Sequence, residues 1–166
     1  MRVLIISDTH RNEENYYDLL KTIGHLDMII HCGDTEGMER IMELECDCPF
    51  VAVMGNNDWF SFTPEETVLE LEGHRIFITH GNTYRVHASS DRVIDEGMDR
   101  DCDIVLYGHT HVPEIRKKDG VTVCNPGSIS YPRQRDRMPT YAIMNLKENE
   151  KPDIKIYDIN GNIYDV

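Results

Sequence analysis

The chain has no apolar run approaching the ~18 residues needed to cross a bilayer, and Val3–Ile6 is too short for a signal-peptide core. A cytoplasmic location without a membrane partner is therefore expected. No C-x-x-C pair is present, and the five cysteines (Cys32, Cys46, Cys48, Cys102, Cys124) are odd in number and scattered, which argues for reduced thiols over a disulfide framework. The C-x-C at Cys46 and Cys48 reads as a plain loop ahead of a zinc site. There is no internal repeat and no low-complexity tract, and no G-x-G-x-x-G or G-x-x-x-x-G-K follows any strand, which removes a nucleotide-binding switch. Positive charge is scarce: 17 Lys+Arg stand against 30 Asp+Glu, a formal net charge of -13. Such a field repels long nucleic acids, although physiological salt screens it over about 8 Å. Small substrates or cations suit it better.

What is present is the composition of an ordinary globular chain, 40% apolar and 28% charged, and its 166 residues suit one compact domain over 1–166. Val3–Ile6 is a continuous apolar run rich in β-branched residues, as a strand buried on both faces requires. Four more such runs follow: Met28–Ile30, Phe50–Val53, Ile76–Thr79 and Ile104–Tyr107. Between them, Tyr16, Leu19, Leu20 and Ile23, then Met38, Ile41, Met42 and Leu44, then Val93, Ile94 and Met98 have helical spacing. The later half turns to hairpins. Thr67–Leu71 and Arg75–Thr79 flank Glu72-Gly73, Ile115–Lys117 and Val121–Val123 flank Asp119-Gly120, and Lys155–Ile159 and Asn162–Val166 flank Asn160-Gly161. Strand-helix units followed by hairpins predict an α/β sandwich of mixed sheets with helices outside.

The informative residues follow the buried strands. Asp8-Thr9-His10 comes after the first, Gly33-Asp34 after the second, Gly55-Asn56-Asn57-Asp58 after the third, His80-Gly81-Asn82 after the fourth and Gly108-His109-Thr110-His111 after the fifth. Each is a metal-ligand type at the carboxyl end of a strand, where open α/β sheets place their ligand sites. Asp8 with His10, and His109 with His111, lie two apart and can face one cavity. Mixed carboxylate, imidazole and amide donors favour manganese, iron, zinc or nickel over calcium, and the set is too large for one tetrahedral ion. Singly, each motif has a plainer reading: Asp8 as a helix cap, Gly33-Asp34 as a turn, any histidine as a hydrogen-bonded core residue. Together they outweigh coincidence.

In this order, D-x-H, G-D, G-N-x-D, H-G and G-H-x-H resemble the calcineurin-like metallophosphoesterases. The chain is most similar to their small bacterial and archaeal phosphodiesterase branch, which also carries an N-P-G-S segment, here Asn125-Pro126-Gly127-Ser128. The likeness spans roughly residues 1 to 132, and five motifs together are far more specific than one. It implies an αββα sandwich of two mixed sheets flanked by helices. It also implies two divalent cations per chain, manganese foremost, with nickel, iron, zinc or cobalt as alternatives. One would be held by Asp8, His10 and His111 and the other by Asn56, His80 and His109, with Asp34 bridging. Asp34, Asn57 and Asp58 would form the catalytic group around a hydroxide that attacks a small phosphodiester in line.

Two departures stand out. Asn57 replaces a histidine that larger members use to protonate the leaving group, and an amide is no acid near neutral pH. Asn82 replaces the second histidine of H-G-H. Arg133, Arg135 and Arg137 form a basic island that reads either as a solvated loop or, with Asn57, as a grip on the substrate through Arg133. His25, His31, His74 and His87 read as structural or solvated, Cys32 as a core thiol, and Lys117 and Lys118 as surface residues. Alternatives to a diesterase are a phosphomonoesterase or a non-catalytic interaction scaffold, since a eukaryotic trafficking subunit is similar in fold. A homodimer or higher homo-oligomer stays open.

Overall fold

A computed structural model describes residues 1–59 and 61–166. The elements run β1 (Arg2–Ile6), α1 (Glu14–Thr22), β2 (Met28–His31), α2 (Glu39–Leu44), β3 (Phe50–Ala52), β4 (Glu66–Leu71) and β5 (His74–Thr79). They continue with α3 (Asp91–Asp99), β6 (Ile104–Leu106), β7 (Glu114–Lys118), β8 (Val121–Asn125), β9 (Thr140–Asn145) and β10 (Asp153–Asp158). One five-stranded sheet has the order β10-β9-β1-β2-β3, the other β4-β5-β6-β8-β7. Both are mixed: β1 to β3 and β5, β6, β8 run parallel, while β9, β10, β4 and β7 are antiparallel additions. Among the described residues no helix is long and apolar enough to cross a membrane.

Alternation along each strand explains the layers. Val3 and Ile5 point between the sheets, where they meet Ile30, Cys32, Ile76, Ile78, Ile104, Leu106 and Cys124. Leu4 and Ile6 point the other way and bury Tyr16 and Leu19 of α1 and Met42 of α2. On the far side, Phe77, Val105 and Val123 bury Val93 and Ile94 of α3. Strands covered on both faces need apolar residues at every position, which is why β1 and β6 read as unbroken apolar runs. The expected αββα sandwich is what the chain forms, and Cys32 is a fully buried thiol between the sheets.

The C-terminal hairpin differs from expectation. Lys155 and Ile156 do lie on a strand, but the full ladder of β10 is with β9, through Ile156 opposite Ala142, and 162–166 form no strand of their own. Beyond the Asn160-Gly161 turn the hairpin is short: a bridge between Tyr157 and Ile163, with Asp158 N donating to Asn162 O and Tyr164 N to Ile156 O. The reason is burial: Ile156 and Ala142 share the inter-sheet core, whereas Ile163 and Val166 are exposed and have no face to bury. β9, which the sequence pattern had not singled out, is thus the strand that joins β10 to β1.

Gly97 shows how closely α3 sits on its sheet. A Cβ there would lie 2.4 Å from Val105 Cγ2, so the helix and β6 touch backbone to side chain. Gly97→Ala would gain about 1 kcal/mol of helix propensity but lose roughly 1–3 kcal/mol to overpacking. A net destabilisation is expected in urea unfolding, against the usual sign for this substitution in a helix.

Candidate metal centre

Because β1, β2, β3, β5 and β6 present their carboxyl ends at one edge of the sandwich, the loops that follow them meet there. The backbone in those loops is unusual. Asp8 (φ 57), His10 (φ 47), Asp34 (φ 62), His109 (φ 67) and His111 (φ 58) are all left-handed, a conformation that L-residues adopt at a cost of roughly 1–3 kcal/mol each. Hydrogen bonds across the gap hold them so: Asp8 N donates to Gly33 O, His10 N to Asp34 O and His109 N to Asp8 Oδ2. Gly108 is required by close approach, since a Cβ would fall 2.0 Å from Ser7 Oγ and 2.9 Å from Asp8 Oδ2.

Asp8, His10 and His111 offer ligand atoms within 4.8 Å of one another, and so do Asp8, Asp34 and His80. Asp34 Oδ2 lies 3.4 Å from His80 Nε2 and 3.6 Å from His10 Nε2, between the two groups. His109 Nδ1 is 3.2 Å from His80 Nε2, which adds it to the second group. Asn56 is exposed and lines a neighbouring cavity with Gly55 and Asp58.

Three imidazoles are aimed by acceptors behind them. His80 Nδ1 donates to Cys32 O at 2.7 Å, His111 Nδ1 to Tyr131 O at 2.6 Å and His10 Nδ1 to Glu36 Oε1 at 2.8 Å. Each therefore turns Nε2 inward, the arrangement that outer-shell partners impose on metal-ligating histidines. Burial holds His111 below the usual histidine range, against the pull of Asp8, so its Nε2 carries a lone pair. That lone pair faces Asp8 Oδ1 at 3.2 Å, and Asp8 Oδ1 is buried with no hydrogen-bond donor. Two electron-rich atoms so placed need a cation between them, and the donor set fits a divalent ion.

The other titrations agree. Burial works to raise Asp34, but the His80 imidazole and the Asn57 hydrogen bonds outweigh it and hold the carboxyl well below its ordinary range. Burial would lower His80, yet Asp34 and Asp8 push it up to about 9, while burial and then His80 bring His109 down to about 4.

Two residues expected at the chemistry are engaged with the Asp34 loop. Asn57 gives its side-chain amide to Asp34 Oδ2 (2.7 Å) and its backbone N–H to Asp34 Oδ1 (2.8 Å), so it positions Asp34. Asp58 is buried and accepts from Asp34 N, Gly55 N, Thr35 Oγ1 and Glu36 N, which pins the two loops together. Ser128 donates to Asp8 O and Asn125 to Gly108 O, which gives the N-P-G-S segment its role. Arg133 and Arg137 line a cavity of about 420 Å³ with His10, His111 and Tyr131, and Arg135 is not on its wall. Sequence reasoning missed Glu36, whose only signal is an acidic residue two past Asp34. It also missed His87, whose ring lies 4.6 Å from that of His109 although no motif or spacing marks it in the sequence.

A calcineurin-like phosphoesterase superfamily domain matches residues 1–149. The chain belongs to that superfamily. It is 35% identical to a Bacillus subtilis protein named as a probable metallophosphoesterase, over 98% of this chain and 94% of that one. It is 29% identical to a Methanocaldococcus jannaschii protein named as a phosphodiesterase, covering 93% of this chain and 98% of the other. Vps29 from Entamoeba histolytica, solved as a single mutant, superposes with a TM-score of 0.82 at 23% identity, over 99% of this chain and 96% of that one, a likeness of fold. Superfamily membership and the Asp/His groups together make this a metallophosphoesterase chain with candidate sites for divalent metal.

Because His80 is protonated below about pH 9 without a cation, and a ligand must be deprotonated, metal binding should expel its proton. Calorimetric titration at about pH 7.5, in buffers of different ionisation enthalpy, should show close to one proton released per chain, declining as pH rises through about 9. Release of none near neutral pH would mean that His80 is either neutral in the metal-free chain or not a ligand.

Proposed function

We propose that residues 1–166 act as one domain, a cytoplasmic two-metal phosphodiesterase of small phosphodiesters. Asp8, His10 and His111 hold one cation, Asn56, His80 and His109 the other, and Asp34 stands between them. The observation that carries the reading is the Asp34 carboxylate, which faces His10 at 3.6 Å and His80 at 3.4 Å through the same oxygen. Divalent cations held there, manganese ahead of nickel, iron, zinc or cobalt, would supply Lewis acidity to the phosphoryl oxygens and would acidify water as the nucleophile for in-line hydrolysis.

The chain's own residues do the rest. Asn57 and His80 keep Asp34 ionised, and Asp58 fixes the loop on which Asn57 sits. His10, His80 and His111 point fixed nitrogen lone pairs at the centre from rings that cannot turn without breaking a hydrogen bond. Arg133 and Arg137, beside His10 and His111, suit the substrate arm that does not react, because guanidinium binds phosphate oxygens through a planar fork. A scaffold role is the second reading, favoured by the likeness of fold to Vps29, but the chain keeps a ligand-type residue at every expected position.

Asp34→Asn should lower kcat for a diester on the order of a thousandfold, the scale of metal charge stabilisation, while the unfolding curve keeps its shape. Elemental analysis should show about two metals per wild-type chain and fewer in the variant. Full turnover of the wild type in excess chelator would overturn the proposal in favour of the scaffold or a metal-free route. Replacing Arg133 and Arg137 together by Gln should raise KM for an anionic diester roughly tenfold, with a smaller change in kcat, the pattern of lost uniform binding. An unaltered KM at low salt would leave the arginines as solvated surface.

A further inference from the structure

The chain contains one tryptophan, Trp59, directly after the Gly55–Asp58 loop. Tryptophan is among the most buried residues on average, yet Trp59 is 82% exposed. Its neighbours explain where it faces. With Gly55, Asp58 and Thr79 it lines a cavity of about 320 Å³ that is separate from the arginine-lined one. Gly55 and Asp58 flank Asn57, the partner of Asp34, and Thr79 precedes His80, so this cavity adjoins the opposite half of the metal centre from Arg133 and Arg137. The centre thus lies between two unlike hollows, and a diester has two arms to place.

The cavity by Trp59 combines an aromatic face with groups that read a hydrogen-bonding edge. Asn82 offers an amide donor and acceptor, Thr83 a hydroxyl and Glu65 a carboxylate, all three exposed on its wall. Glu66, also on the wall, is already engaged by Tyr84 Oη and by Arg100 Nη2 at 2.6 Å, so it adds no free charge. A flat ring with alternating donors and acceptors on its rim is a nucleobase, and indole is a stacking platform for any of them. We propose that this cavity is a nucleobase subsite, and that the diester cleaved at the centre carries a nucleoside on its Trp59 arm. The inference rests on the phosphodiesterase reading for its chemistry, but the binding it asserts can be measured without turnover.

Since Trp59 is the only indole, its emission reports on this cavity alone. The full chain reconstituted with zinc, which avoids paramagnetic quenching, is titrated with adenosine 5′-monophosphate, ribose 5-phosphate and phenyl phosphate, with free N-acetyltryptophanamide as the inner-filter control. Saturable quenching by the nucleotide, absent with ribose 5-phosphate and weaker with phenyl phosphate at equal concentration, is expected. Equal quenching by nucleotide and ribose 5-phosphate, or none by either, overturns the subsite, and equal quenching by phenyl phosphate overturns its nucleobase identity. In parallel, Trp59→Ala should reduce the ratio of kcat/KM for a dinucleotide to that for a dialkyl diester by roughly tenfold or more, the scale of one stacked base. An unchanged ratio would count against the proposal even with quenching observed. If the wild type hydrolyses no diester, the phosphodiesterase reading fails, and the quenching titration still decides the base subsite.

Discussion

Asp8 carries the constraint from which the rest of the site follows. Its carboxylate is fully buried, one oxygen receives His109 N–H, and the other has no donor among the described residues. A buried anion left like this is strongly disfavoured in a low-dielectric interior unless positive charge approaches it. The histidines that face it are held by Cys32 O, Tyr131 O and Glu36 so that their Nε2 atoms converge on the same small volume, His80 giving up its proton only when a cation takes its place. The chain's net charge of -13 strengthens the same demand, since it favours cations near the surface before any ligand is engaged.

Holding so many electron-rich atoms close together requires a stiff frame. The two sheets share a dry core of β-branched residues, and their parallel strands end at a common edge. The loops there can then be held in left-handed backbone at Asp8, His10, Asp34, His109 and His111, because each is tied to a loop of another strand. Asp58 is the best example of the tie: one carboxylate gathers backbone N–H groups from both the Asp34 loop and its own. Local strain and rigid support are two sides of one arrangement, in which the frame's packing energy offsets unfavourable conformations at the centre.

The same frame sets the surroundings of the centre unlike on its two sides. Beside His10 and His111 the wall is basic and includes Tyr131. Beyond His80 and Asn57 it is acidic and carries Trp59. An acidic protein that places arginines at one wall of this site has a local attraction for anions where the overall field repels them, and screening over about 8 Å lets the two coexist.

Much of this was legible in the sequence. Unbroken apolar runs identified β1, β2, β3, β5 and β6, because a strand covered on both faces leaves no position for a polar residue. The ligand-type residues after each run marked the edge where they would meet, since side-chain chemistry and strand ends are local properties. Local pattern could not reveal partners distant in the chain. The antiparallel β9–β10 pair was invisible in this way, because the Asn160-Gly161 turn is a strong local signal while the burial that selects β9 is tertiary. The hydrogen-bond partners of Asn57 and Asp58 likewise emerged only in three dimensions: a carboxylate or an amide is the same group in sequence whether it meets a substrate, a metal or a backbone N–H. What the sequence determined by itself was which atoms are available and at which strand ends; what the tertiary structure decided was which of them face one another, because contact across sheets is set by packing that no single segment contains.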